Sequence, residues 1–251
     1  IRWNIFHFHK NYNNRNMKNI YKNTTSNLNK AKKFLKKCNV IAVPTETVYG
    51  LAGNAYSDLS IKKIYKLKKR PKKNPLIIHY YNIKSLKKDA LINNNFLKLY
   101  KKFSPGPITY VLKKRKDSKI SSLANRNLQS IAVRFPKNIV ARKLLKKLNF
   151  PLAIPSANIS ASISPIKASD VIDEFGKKIK FILDGGSSNI GLESTVINLI
   201  GKIQILRPGA ISSDQIGYIL KKKVTILRKV KKITAPGLLK RHYSPGIPNK
   251  T

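Results

Sequence analysis

The chain has 251 residues, enough for one substantial hydrophobic core, or for one domain with an appendage. Its apolar runs, such as 40–43 and 181–183, are strand-sized and far short of the roughly 18–20 residues a membrane span needs, and the first 16 residues have no apolar core of secretory type. The 52 Lys+Arg against 10 Asp+Glu give a net charge of +42, which would draw polyanions such as ATP and RNA. Lysines are scattered over almost every predicted helix in a background of Asn and Ile, so the charge reads mainly as compositional drift of an AT-rich coding sequence. The lone cysteine, Cys38, excludes an internal disulfide and fits a reducing, cytoplasmic compartment.

Residues 1–23 are rich in Asn, Lys and aromatics without a clear period. With Met17 the single methionine, residues 1–25 are expected to be a disordered or non-native extension, and folded structure to begin near Ser26. Apolar spacing predicts a short amphipathic helix over 29–37, a strand over 40–43 ending at Pro44, a helix over 59–67 and a strand over 76–79. A helix over 96–103 is stopped by Ser-Pro-Gly-Pro at 104–107, and a strand resumes over 108–112. Strands come next at 130–134, 152–154 and 181–183, with helices at 139–148 and 168–175, the latter with Ser169 or Asp170 as a possible cap. Runs 195–199 and 203–206 form a hairpin turning at Gly201-Lys202, Ser212 or Ser213 caps a helix to Leu220, and 224–227 adds a strand. Mixed strands and helices without a repeat predict one α/β domain with a mixed sheet.

Between these elements lie polar islands, where a scaffold carries its chemistry. The first is Pro-Thr-Glu-Thr-Val-Tyr-Gly-Leu at 44–51, with Thr47 at a strand's carboxyl edge, a favoured ligand position. The next holds Lys68, Arg70 and Asn74, stiffened by Pro71 and Pro75; a solvated helix end would explain the cations equally, yet Arg suits forked phosphate contacts. His79 ends a strand, where a structural role and a neutral ligand contact are both open. Thr109 opens a strand after Pro105-Gly-Pro107, and Arg134 ends one, as a surface salt bridge or a ligand contact. Ser156 and Asn158, in Pro-Ser-Ala-Asn, either cap the next segment or bind phosphate or ribose. Ser194 and Arg207 flank the predicted hairpin. There is no Walker phosphate loop, dinucleotide fingerprint, zinc spacing or serine nucleophile elbow. The set suggests a site that holds anions with Arg, Lys, Asn and hydroxyls, and works by positioning.

In kind and order these islands resemble the YrdC-like family of threonylcarbamoyl-AMP synthases, in its long form, over about residues 28–222 and the tail to Pro248. The resemblance implies a single α/β domain over 26–230, with a twisted mixed parallel and antiparallel sheet flanked by helices and a basic concave active face. Residues 231–251 would be a linker folding over the site. It implies a nucleotidyltransferase that condenses L-threonine, bicarbonate and ATP, with Mg²⁺, to threonylcarbamoyl-AMP and pyrophosphate, for a tRNA threonylcarbamoyl transferase to use. Thr47, His79, Thr109 and Ser194 would contact threonine. Lys68, Arg70, Asn74, Ser156, Asn158, Arg207 and Tyr243 would surround ATP, with Lys68 and Arg70 stabilising charge; the ligand of Arg134 stays open. No covalent nucleophile, side-chain metal ligand, organic cofactor or membrane contact is implied, and a direct tRNA or RNA contact is left open. Lys69 stands where the family usually has a small residue, Ile166 where it has Thr, and the sequence ends at Thr251, just after the linker. That end reads either as a fragment or as loss of the long form's further domain. The competing expectation is an RNA-binding or ribosome-associated module on the same basic fold; a carbamoyl-transfer module of a larger enzyme is a third, against which the motif around Tyr243 speaks.

Overall fold

The computed structural model describes residues 19–71, 74–160 and 162–227, so the predicted linker with Tyr243 lies outside the described residues. The first strand, β1 (Ile20–Lys22), pairs in parallel with Ile182–Asp184, and folded structure therefore begins ahead of Ser26, correcting the expected boundary. Helix α1 (Thr25–Lys36) comes directly after it. Its N-cap Thr24 accepts from the Asn27 N–H, and Leu28, Ala31 and Leu35 supply its buried stripe. Then come β2 (Ile41–Val43), β3 (Gly50–Asn54), α2 (Asp58–Lys68), β4 (Ile77–His79), α3 (Ile83–Leu86) and α4 (Asn94–Phe103). The chain continues with β5 (Ile108–Lys113), α5 (Ser122–Asn125), β6 (Ser130–Arg134), α6 (Ile139–Lys146) and β7 (Leu152–Ala153). Last are α7 (Ala168–Phe175), β8 (Ile182–Asp184), β9 (Thr195–Asn198), β10 (Gln204–Arg207), α8 (Ser213–Leu220) and β11 (Thr225–Ile226).

One mixed sheet runs β1-β8-β2-β3-β7-β4-β6-β5-β9-β10-β11. Strand β3 is absent from the sequence reading because Gly-Leu-Ala-Gly-Asn carries no β-branched residue; antiparallel pairing with β2 and β7 makes it a strand. The N-cap of α7 is Lys167 rather than Ser169 or Asp170. Asp170 acts from the third helical position, accepting from the Ile166 and Lys167 N–H groups at 2.9 Å each. The predicted hairpin forms as β9 and β10, with Gly201 at φ +62° in its turn.

Helices α2, α4, α7 and α8 pack on one face over Ile78, Tyr110, Val133, Ile197 and Ile205. On the opposite face α1 and α6 cover Ile41, Val43, Ala52, Leu152 and Leu183. Farther along that second face, Ile77, Val111, Ala132, Val196 and Leu206 pack on one another, and among the described residues no helix joins them. Register sets a row of side chains above this floor: His79 opposite Arg134, Arg134 opposite Thr109, Thr109 opposite Val196, and Val196 opposite Arg207. Directly paired residues project to the same face, so four separate islands meet there.

Candidate active site

A cleft over this row is lined by Thr47, Arg70, His79, Arg134, Ser156, Ser194 and Arg207, seven of the twelve residues expected from the sequence. Ile77, Ile154, Pro155 and Gly50 add apolar or backbone surface, and Glu193 adds a carboxylate.

Each lining group is fixed by identifiable bonds. The Thr45 hydroxyl donates to the Val48 carbonyl at 2.6 Å, so the 2.8 Å bond between Thr45 Oγ1 and Thr47 Oγ1 takes its proton from Thr47. Thr47 therefore faces the cleft as an acceptor. His79 is buried, and its Nδ1 lies 3.3 Å from the Ile77 carbonyl, which can only accept; Nδ1 carries the hydrogen. Nε2 is then a buried acceptor with no protein partner. Burial, with the Arg134 charge beside it, pushes the imidazole well below its ordinary value and keeps it neutral. Thr109 and Ser194 share one proton across 2.7 Å, and Arg207 Nη2 donates to Ser194 Oγ at 3.2 Å, which leaves this hydroxyl pair one O–H to offer.

Three guanidinium groups surround this polar row. Arg70 is held from Nε and Nη2 by the Asn74 and Pro75 carbonyls at 3.1 and 3.0 Å, and burial pushes it down to about 10. Arg134 donates to Glu46, and Arg207 to Glu193 and the Ser194 carbonyl. Three arginines against these two carboxylates leave an excess of positive charge, suited to carboxylate, carbonate or phosphate.

Lys68, expected to meet a nucleotide, is 1% exposed and does not line the cleft. Its ammonium donates to the carbonyls of Ser156 and Asn158 at 2.6 and 2.5 Å and to Asn158 Oδ1 at 3.3 Å. Three protons meet three protein acceptors, so Lys68 clamps the Ser156 loop. Asn158 completes the clamp, its amide donating to the Ile159 and Ser162 carbonyls at 2.9 and 2.6 Å. Asn74 contributes its carbonyl to Arg70, while its side-chain Oδ1 is buried without a partner. Thr109 lies just behind Ser194. Arg134, a candidate surface salt bridge, is instead 4% exposed and paired to buried Glu46. Sequence reasoning passed over Glu46 and Glu193 as the arginines' partners. The signal for both was the scarcity of acids: two of only 10 sit inside polar islands.

Fold and site together define an α/β domain with a mixed sheet and an arginine-rich, anion-accepting cleft. Residues 33–209 match the family model for Sua5, YciO and YrdC proteins, described as "Telomere recombination", and the chain belongs to this family. It is 39% identical, over 84% of its length, to a threonylcarbamoyl-AMP synthase of Pyrococcus abyssi, and 36% identical, over 86%, to one of Bacillus subtilis. The chain spans 64% and 63% of the lengths of those relatives. A crystal structure of P. abyssi Sua5 complexed with L-threonine superimposes with a TM-score of 0.84 at 36% identity, covering 90% of this chain and 68% of that one. Escherichia coli YciO shares the fold, with a TM-score of 0.71 at 21% identity over 79% of this chain and 98% of that one.

Proposed function

We propose that this chain is an L-threonylcarbamoyladenylate synthase, a nucleotidyltransferase that makes threonylcarbamoyl-AMP and pyrophosphate from L-threonine, bicarbonate and ATP for tRNA modification. The observation that carries this reading is the meeting, in one cleft, of a neutral histidine acceptor, a hydroxyl pair and three arginines. This is the donor and acceptor set an amino acid and two anions require.

Threonine's ammonium and hydroxyl are donors, and Thr47 Oγ1 and His79 Nε2 are the acceptors that suit them. Its carboxylate suits the O–H left by Thr109 and Ser194 beside Arg207. The amine, once deprotonated, attacks the bicarbonate carbon with loss of water, giving a carbamate. A carbamate oxygen then attacks the α-phosphorus of ATP and pyrophosphate leaves. Negative charge gathers in both steps, and fixed guanidinium groups stabilise it without reorganising. Holding three reactants in contact accounts for much of the remaining acceleration. Among the described residues no cluster of three or more metal-ligating side chains occurs. Mg²⁺ would enter on the triphosphate, where it would supply charge neutralisation.

The test is pyrophosphate release by the purified chain with ATP, bicarbonate and Mg²⁺, with and without L-threonine, and with Arg70→Ala alongside. Threonine-dependent release that the variant loses is expected. No release, with salt-sensitive RNA binding intact, would overturn the synthase in favour of a binding module.

A further inference from the structure

A second cleft, of about 680 Å³, lies on the far side of the wall formed by the end of α2 and the Ser156 loop. Lys69 and Ile159 face it, while their near neighbours Arg70 and Ser156 face the active cleft. Its floor is apolar: Phe34 from α1, Val40, Leu67 from α2, Ile159, and Phe175 from the end of α7. Its rim is five lysines, Lys63, Lys66, Lys69, Lys178 and Lys180, and no Asp or Glu is among the described lining residues. Four of the five are exposed; Lys63 is tethered to Asn39 Oδ1 at 3.1 Å. The carboxylate touching this wall, Glu174, accepts from the Ile159 N–H at 2.6 Å.

We propose that this cleft is a docking groove for an acidic amphipathic helix of a partner protein. An apolar floor between cationic edges matches a helix with an apolar stripe flanked by carboxylates. Charge complementarity selects the occupant. Residues 228–251 of this chain carry seven Lys and Arg and no acid, and a second copy brings a further +42; both are repelled. RNA would use the lysines but gain little from the floor, most of which is the aliphatic Val40, Leu67 and Ile159, with Phe175 buried, so it gives a base little ring surface to stack on.

The probe is a fluorescein-labelled synthetic peptide with Leu at positions i, i+3, i+4 and i+7 and Glu elsewhere. Its binding to the full chain is read by anisotropy at about 150 mM salt. A scrambled peptide of the same composition and a short RNA duplex are run beside it. Charge reversal at two exposed rim positions, Lys66→Glu with Lys180→Glu, is compared with Lys101→Glu with Lys102→Glu on α4. Peptide affinity is expected to fall about tenfold or more in the rim variant, to hold in the α4 variant, and to be lost on scrambling. Equal losses in both variants, or equal binding of the scrambled peptide, would reduce the effect to overall charge and overturn the proposal. So would a rim variant that loses RNA binding while keeping the peptide. Circular dichroism and unchanged pyrophosphate release establish that the rim variant is folded.

Discussion

Arg134 Nη2 donates to Glu46 Oε1 at 2.7 Å, while Glu46 Oε2 accepts the backbone N–H groups of Lys137 and Asn138 at 2.8 and 3.2 Å. One buried carboxylate thus aims a cleft arginine and secures the entry to α6. Burial pushes the Glu46 carboxyl up, but the Arg134 charge and hydrogen bond, with the Lys137 N–H, outweigh it and hold it below its ordinary value. Glu46→Ala strands the guanidinium and is expected to cost about 3–5 kcal/mol in chemical denaturation. Glu46→Gln keeps the shape and should cost less. Because the folded value is depressed, the pair's contribution is present above the unfolded value near pH 4.5 and is lost as pH falls through the folded one. Wild type should lose more stability than Glu46→Gln across that acid window; parallel curves would contradict the coupling.

His79 makes a prediction at milder pH. Its folded value lies well below 6.5, so the unfolded chain takes up a proton first as pH falls. Stability linked to His79 is full above about pH 6.5 and declines below it, by at most about 1.4 kcal/mol per pH unit. His79→Gln should lack this decline. Long-range ¹⁵N NMR should report hydrogen on Nδ1 and none on Nε2. On the synthase reading, the same variant weakens threonine binding about tenfold, measured by calorimetry.

Much of this was legible because local pattern and tertiary outcome agree. The continuous apolar run between Ser130 and Arg134 and the apolar spacing over Ala168–Phe175 mark elements whose limits match the structure. Strands β1 and β3 were illegible because their identity lies in their partners, β8 for one and β2 with β7 for the other. The islands named the site's chemistry but could not separate groups facing the cleft from groups holding it. Lys68 and Arg70 are two residues apart, yet the helix ends between them. Lys69 takes φ +47°, turning Arg70 toward the cleft while Lys68 stays inside. A left-handed residue there also explains why a small residue, often glycine, suits this position.

Lys68 itself is testable. Burial and the nearby Arg70 charge push its ammonium down to about 7. Lys68→Met removes the donor from the Ser156 and Asn158 carbonyls, costing about 1–3 kcal/mol per acceptor left dry. Hydrogen exchange should quicken across 155–159. In the wild type the unfolded chain still binds this proton between pH 7 and about 10, so stability gains with rising pH across that window. The gain should vanish in Lys68→Met; a gain that persists would assign it to another group.

Gly209 tests how Ser194 is positioned. A Cβ built there would run into the Thr195 nitrogen and lie 2.6 Å from both the Glu193 carbonyl oxygen and the Ser194 carbonyl carbon. All three are backbone atoms, so no rotamer change can relieve the clash, and the 193–195 segment must move. That segment carries Ser194 Oγ to Thr109 and its carbonyl to Arg207 Nη2 at 2.7 Å. Gly209→Ala is expected to cost about 1–3 kcal/mol of stability through overpacking. On the synthase reading it raises the threonine KM more than it lowers kcat at saturating threonine, because Arg70 and Arg134 are held by other segments, Arg70 by the Asn74 and Pro75 carbonyls and Arg134 by Glu46. A Gly209→Ala protein with wild-type Tm and threonine KM would show that the segment tolerates the displacement, and that the close approach is not what sets Ser194.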